Sequence, residues 1–239
     1  MKNVKDYTEL VFILDRSGSM GGLERDTIGG FNSVLRKNKE QEGDAIVSTV
    51  LFDDRIEVIC DREQIGKVAP ITEEEYYVRG CTALLDAVGG AIRHVSKVQK
   101  TLPKHHRAKN VVFVITTDGY ENASREFTYP QVKKLIEKKR KKGWEFVFMG
   151  ANIDAAAEAA RIGISADRAA TYRADGIGTQ AVYASMAAAT CQARSDAGIT
   201  GSWKLGSVMH IAMAIAKVTS QVISPWRPCP PVSCWGFIS

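Results

Sequence analysis

The sequence predicts an α/β fold: a doubly wound, mostly parallel sheet with one antiparallel edge strand and helices on both faces. Three observations carry this expectation. Leu10-Val11-Phe12-Ile13-Leu14 and Val111-Val112-Phe113-Val114-Ile115-Thr116 are continuous apolar runs, the pattern of strands covered on both faces. Each run opens onto a carboxylate, Asp15 in the first case and Asp118 in the second. Between and after them, segments of helical period alternate with β-rich segments, and that alternation produces parallel sheets by short crossovers. The chain has 239 residues, 45% of them apolar and 25% charged, enough for one large α/β domain and an extension.

Taken in order, residues 1–9 read as a polar lead-in without an apolar signal core, so export by a cleaved N-terminal signal is not expected and the cytoplasm is. The first strand ends at Asp15, and Gly18 and the Gly21-Gly22 pair let the following turn bend toward a helix. Leu23 to Lys39 places Ile28, Phe31 and Leu35 on one helical face. Ala45 to Phe52 and Arg55 to Cys60 are two β-rich runs around Asp53-Asp54, which reads as a hairpin. Ala83 to Val98 is the next helix, Asn110 to Thr116 the central strand, Pro130 to Lys142 a helix, and Trp144 to Gly150 a strand. Asn152 to Ile162 as a helix and a short strand near Ala170 to Tyr172 complete the sheet.

The chemistry gathers at three expected strand or helix ends. Asp15, Ser17 and Ser19 offer a carboxylate and two hydroxyls at alternate positions, where ligands of open α/β sheets bind. Such hard oxygens suit magnesium, with manganese or calcium as alternatives. Thr82 follows the turn at Gly80, and Thr117-Asp118-Gly119 closes the second apolar strand. Each feature has a plainer reading: Asp15, Ser19 or Thr82 as a helix cap, and Asp118 as a turn residue beside glycine.

Together these residues resemble a von Willebrand factor type A domain. The Asp-x-Ser-x-Ser element falls on Asp15, Ser17 and Ser19, the threonine of a second loop on Thr82 within Gly80-Cys81-Thr82-Ala83-Leu84, and the aspartate of a third on Asp118. The resemblance runs from about Leu10 to Tyr172 and is nearest to small stand-alone bacterial members. It implies a Rossmann-like domain over residues 10–200 with a metal-ion-dependent adhesion site (MIDAS). It also implies direct contact of Ser17, Ser19 and Thr82 with the ion, while Asp15 and Asp118 act largely through water. A protein partner's Glu or Asp would complete the sphere. Neutral hydroxyls leave a magnesium ion with appetite for an external anionic oxygen, so recognition rather than turnover is expected.

Other chemistries fit less well. A haloacid-dehalogenase-like phosphohydrolase or phosphotransferase would use Asp15 and a hydroxyl at Thr116 or Thr117, but its second aspartate falls where this chain has Ser17. Gly18-Ser19-Met20-Gly21-Gly22 lacks the lysine and spacing of a phosphate-binding loop. A metal-independent scaffold using other surfaces is the third alternative. The five cysteines, Cys60, Cys81, Cys191, Cys229 and Cys234, are scattered and odd in number, which does not indicate a disulfide framework. Cys60 reads as strand core and Cys191 as helix packing. His94, His105 and His106 lack a matched second ligand pair. The run Lys138-Lys139-Arg140-Lys141-Lys142, with Lys133 and Lys134, ends an amphipathic helix whose dipole it complements. Without an aromatic series beside it, it reads as a solvated face, and no nucleic-acid partner is expected.

Composition changes near the end. From Ala197 to Ser239 there is no Asp or Glu, and Lys204, Lys217 and Arg227 supply +3 of the net +5. Residues 201–239 read as an atypical helix over Leu205 to Ile223, for packing or a partner rather than a membrane, followed by a Pro- and Cys-containing tail.

Overall fold

A computed structural model describes residues 6–195 and 198–204 of the chain. The expected C-terminal helix over 205–223 and the tail beyond it lie outside the described residues. The elements run β1 (Tyr7–Asp15), α1 (Glu24–Glu40), β2 (Asp44–Phe52), β3 (Ile56–Gln64), α2 (Leu84–Thr101), β4 (Asn110–Thr117), α3 (Tyr129–Arg140), β5 (Glu145–Ala151), α4 (Ala155–Arg161), β6 (Ala169–Tyr172) and α5 (Gly176–Arg194). One six-stranded sheet has the order β3-β2-β1-β4-β5-β6, and β3 is the antiparallel edge. This is the expected doubly wound architecture.

The apolar runs explain the layering. Along β1, Leu10, Phe12 and Leu14 face one layer while Val11 and Ile13 face the other. Phe31, Val34 and Leu35 of α1 join Val182, Tyr183 and Met186 of α5 over the first face. Val88 and Ile92 of α2, Val132 and Ile136 of α3, and Ala159 of α4 cover the second. Both faces of the central strands are therefore dry, which is why their sequences do not alternate with polar residues.

Three departures from the sequence expectation have physical causes. β1 begins at Tyr7, so three residues of the expected lead-in belong to the sheet. Glu9 tolerates complete burial there because Arg62 and Gln99 both bond its carboxylate. Strand β3 runs past Cys60 to Gln64 through an irregular register, with Arg62 at φ 56°. The helix expected around Cys191 is the 19-residue α5, whose extent the sequence pattern does not mark. Its small residues hide the helical period, and Gly176 and Gly178 occupy its first turn. Its start is nonetheless capped by Asp175, whose side chain accepts the Gly178 N–H at 2.7 Å.

Helix α5 lies close on α1. A Cβ placed on Gly30 would stand 2.3 Å from Cδ2 of Tyr183 and 2.5 Å from its Cγ. Gly30→Ala is therefore expected to destabilise by about 1–3 kcal/mol through overpacking, although alanine is the better helix former. Urea denaturation measures this, and an unchanged or higher midpoint would contradict the described α1–α5 contact.

Candidate metal centre

The sheet order reverses between β1 and β4, and crevices at such a switch point open at the carboxyl ends of the strands. Asp15 is the last residue of β1, and Asp118 follows the last residue of β4. Asp15 is 1% exposed and Asp118 8%. One Asp15 oxygen accepts the Ser17 backbone N–H at 2.7 Å, and the other accepts the Thr117 hydroxyl at 2.6 Å. The Ser17 and Ser19 hydroxyls are 3.1 Å apart, and Ser19 donates to Asp118. Four of the five candidate residues are thus linked in one hydrogen-bonded chain.

Thr82 arrives from the second loop. A Cβ on Gly119 would be 3.2 Å from the Thr82 hydroxyl and 3.4 Å from that of Ser19. The two hydroxyls therefore face the same small space beside Gly119, and glycine leaves that space clear. Thr82 is held at its backbone: its N–H donates to the Asn122 side chain at 2.9 Å, and its carbonyl accepts from the Asn122 and Ala123 N–H groups.

The helix-cap readings do not survive this geometry. The residues at the cap positions of α1 and α2 are Leu23 and Ala83, and neither contributes a side-chain cap. The side chains of Asp15, Ser19 and Thr82 turn toward the crevice instead. Asp118 accepts from Ser19 as well as from its own backbone N–H, so its carboxylate serves both its turn and the crevice.

Electrostatics set the site apart. Burial pushes the Asp15 carboxyl up to about 6, against hydrogen bonds from Ser17 and Thr117, with Asp118 adding repulsion. Burial raises Asp118 as well. Among the described residues neither carboxylate forms an ion pair with a lysine or arginine, and their hydrogen-bond partners are hydroxyls and N–H groups. No group of three or more His, Cys, Asp or Glu that could hold a metal ion gathers among the described residues; the donors this crevice offers are two carboxylates and three hydroxyls.

Several supporting residues escaped the sequence reading. Asp53, fully buried, accepts from Arg16 at 2.8 Å, Arg79 at 2.7 Å and the Arg55 N–H at 2.7 Å. Arg16 is itself fully buried and also donates to Glu57 and to the Glu75 carbonyl. Backbone bonds from Arg79 to Arg16, Gly18 to Gly80 and Ala83 to Asp53 then tie the first loop to the second. Tyr76 donates to the Asp15 carbonyl at 2.6 Å. In the third loop, Glu121 accepts from the N–H groups of Leu85, Ala123 and Ser124, while Asp86 accepts those of Arg125, Glu126 and Phe127. The sequence showed these only as charged residues near turns. Asp53-Asp54 was read as a hairpin, which it is, but nothing local announced that Arg16 and Arg79 converge on it.

The described histidines stand apart from the site. His94 pairs with Asp61 at 2.9 Å, and His105 and His106 are exposed. Cys81 is exposed beside Thr82, while Cys60 and Cys191 are half-buried within a strand and a helix, as expected.

No protein-family model matches the chain, and no curated protein matches it. Solved structures do. The crystal structure of proximal thread matrix protein 1 from the mussel byssus with a zinc-occupied MIDAS motif aligns with 78% of this chain and 46% of its own, at 17% identity and TM-score 0.53. A von Willebrand factor type A protein from Catenulispora acidiphila aligns over 79% of this chain and 43% of its own, at 15% identity and TM-score 0.52. The von Willebrand factor domain of the type V pili tip protein Mfa5 from Porphyromonas gingivalis is covered over 99% of its length, at 11% identity and TM-score 0.53. This chain thus spans under half the length of the mussel and Catenulispora proteins. At these identities the likeness is one of fold.

Proposed function

We propose that this chain, which has the von Willebrand factor type A fold, is a divalent-metal-dependent protein-binding module. Asp15, Ser17, Ser19, Thr82 and Asp118 would hold the cation, and an acidic side chain of a partner protein would complete its coordination. The observation that carries this reading is the pair of buried carboxylates at the ends of neighbouring parallel strands, without a cationic side chain to neutralise them. Burying charge without a counter-charge is costly, and a cation is the simplest remedy. The zinc-occupied motif in the mussel protein of the same fold supports a divalent ion. An all-oxygen donor set favours magnesium, with manganese or calcium as alternatives.

When bound, the cation would supply a positive centre for an external carboxylate. The chain's own residues would determine its strength. Hydroxyls from Ser17, Ser19 and Thr82 donate little charge, and Asp15 is already committed to Ser17 and Thr117. Ser17 is also where a phosphotransferase would need an acid or base, so the arrangement favours gripping over turnover. No described helix is long and apolar enough to cross a membrane. The five cysteines, scattered and odd in number, give no disulfide framework, and on that ground we place the module in the cytoplasm.

The test is affinity capture of partners in magnesium, with elution by chelator, using the intact protein and Asp118→Ala. Capture is expected to require both the ion and Asp118. Partners retained equally by the variant and in chelator would sink the proposal.

A further inference from the structure

A second surface lies at the opposite end of the sheet. The groove between α2 and α3, about 610 Å³ in volume, is lined by Arg93, Lys100, Arg107, Lys138, Lys139 and Lys142. No Asp or Glu lines it. Its floor is apolar, from Val111, Leu135 and the half-buried Trp144. Val111 stands at the start of β4 and Thr117 at its end, so groove and metal centre are about 20 Å apart at an ordinary strand rise.

The run of lysines in α3 was legible in the sequence as a solvated helix end. The structure adds cations from two other segments, α2 and the loop at Arg107, on the facing wall. Among the described residues, none of the six forms an ion pair with a carboxylate. Nor do the lysines serve as helix caps. The end of α2 is taken by Arg107, which donates to the Lys100 and Leu102 carbonyls. The end of α3 is closed by backbone N–H groups of Lys141, Lys142, Gly143 and Trp144. Burial lowers the Lys139 ammonium, with Lys142 and Lys138 adding repulsion. Like charges crowded in this way favour a polyanionic neighbour.

We infer that this groove docks an acidic polypeptide segment of a partner protein, with carboxylates meeting the six cations and apolar side chains meeting the floor. The aromatic ring argues for peptide over single-stranded nucleic acid. Trp144 is stacked on Phe113 at 5.6 Å and carries Lys139 at 4.3 Å over its ring, so it is already engaged where a base would need to stack. The chain's own final residues are unsuited to the groove, because Ala197 to Ser239 contains no Asp or Glu.

The probe is a fluorescein-labelled peptide of glutamates interrupted by leucines, followed by anisotropy, with unlabelled oligothymidylate as competitor. Saturable binding that weakens with salt is expected, and Lys138→Glu with Lys142→Glu should reduce affinity about tenfold or more, as charge reversal at a complementary surface does. Lys138→Gln with Lys142→Gln, a milder change, should weaken it less and guards against misfolding in the first variant. Binding should persist in chelator and in Asp15→Asn, which separates this surface from the metal centre. Absent binding, unchanged affinity after charge reversal, loss in chelator, or displacement by oligothymidylate at lower concentration than by unlabelled peptide would each overturn the inference.

Discussion

Asp15→Asn is expected to make the metal-free protein more stable at pH 7 and to abolish any thermal stabilisation by divalent cations. The Asp15 carboxyl rises to about 6 on burial, whereas an unfolded aspartate titrates near 3.9. Between these values the folded state holds a proton that the unfolded state has released. Stability of the metal-free protein should therefore fall as pH rises from about 4 to about 6, and level off above. Two pKa units correspond to at most about 3 kcal/mol, and the raised Asp118 carboxyl acts in the same direction. An asparagine removes this cost and preserves the bonding: its oxygen can accept the Ser17 N–H, and its amide can donate to Thr117. The Thr117 hydroxyl is then free to donate to the Gly119 carbonyl, 3.0 Å away. In chelator the melting temperature should rise by several degrees, at roughly 2–4 °C per kcal/mol for a domain of this size. With magnesium or manganese the intact protein should gain stability and the variant should not. A variant that is less stable than the parent in chelator would show that Asp15 is held by something other than a missing cation.

Asp53→Ala is expected to be the most damaging single change outside the apolar core. Its carboxylate is buried, and although burial raises its titration, the bonds from Arg79, Arg55 and Arg16 hold it below the usual carboxylate range. Removing it strands Arg16, which is 0% exposed. Breaking one side of a buried ion pair costs about 3–5 kcal/mol, and the lower figure applies here because Glu57 and the Glu75 carbonyl still hold Arg16. Urea denaturation should show this loss. Asp53→Asn, which keeps two acceptor bonds at most, should recover part of it. A loss below about 1 kcal/mol, the range of an exposed pair, would mean that the Arg16–Asp53–Arg79 cluster does not brace the loops.

The sequence carried the sheet because both central strands are continuous apolar runs, and it pointed to the candidate site because Asp15, Ser17 and Ser19 sit on one turn. Thr82 and Asp118 were legible as residues following a turn and a strand. The meeting of the Thr82 and Ser19 hydroxyls beside Gly119, and of Ser19 with Asp118, depends on the order of β1 and β4, which no local pattern encodes. The brace was illegible for the same reason. Asp53 and Arg16 are 37 positions apart, and Asp86 reaches Phe127 across 41. Helix α5 is legible only at Cys191, because its alanines and glycines give little contrast between faces, although Asp175 before Gly176 is a usable start signal.

Titration calorimetry with magnesium and with manganese, on the intact protein and on Asp15→Asn, asks directly whether the two buried carboxylates and three hydroxyls hold a cation. One saturable site per chain is expected in the intact protein and none in the variant. Identical heats for the two proteins, or no binding by the intact chain, would contradict a metal centre at Asp15, Ser17, Ser19, Thr82 and Asp118.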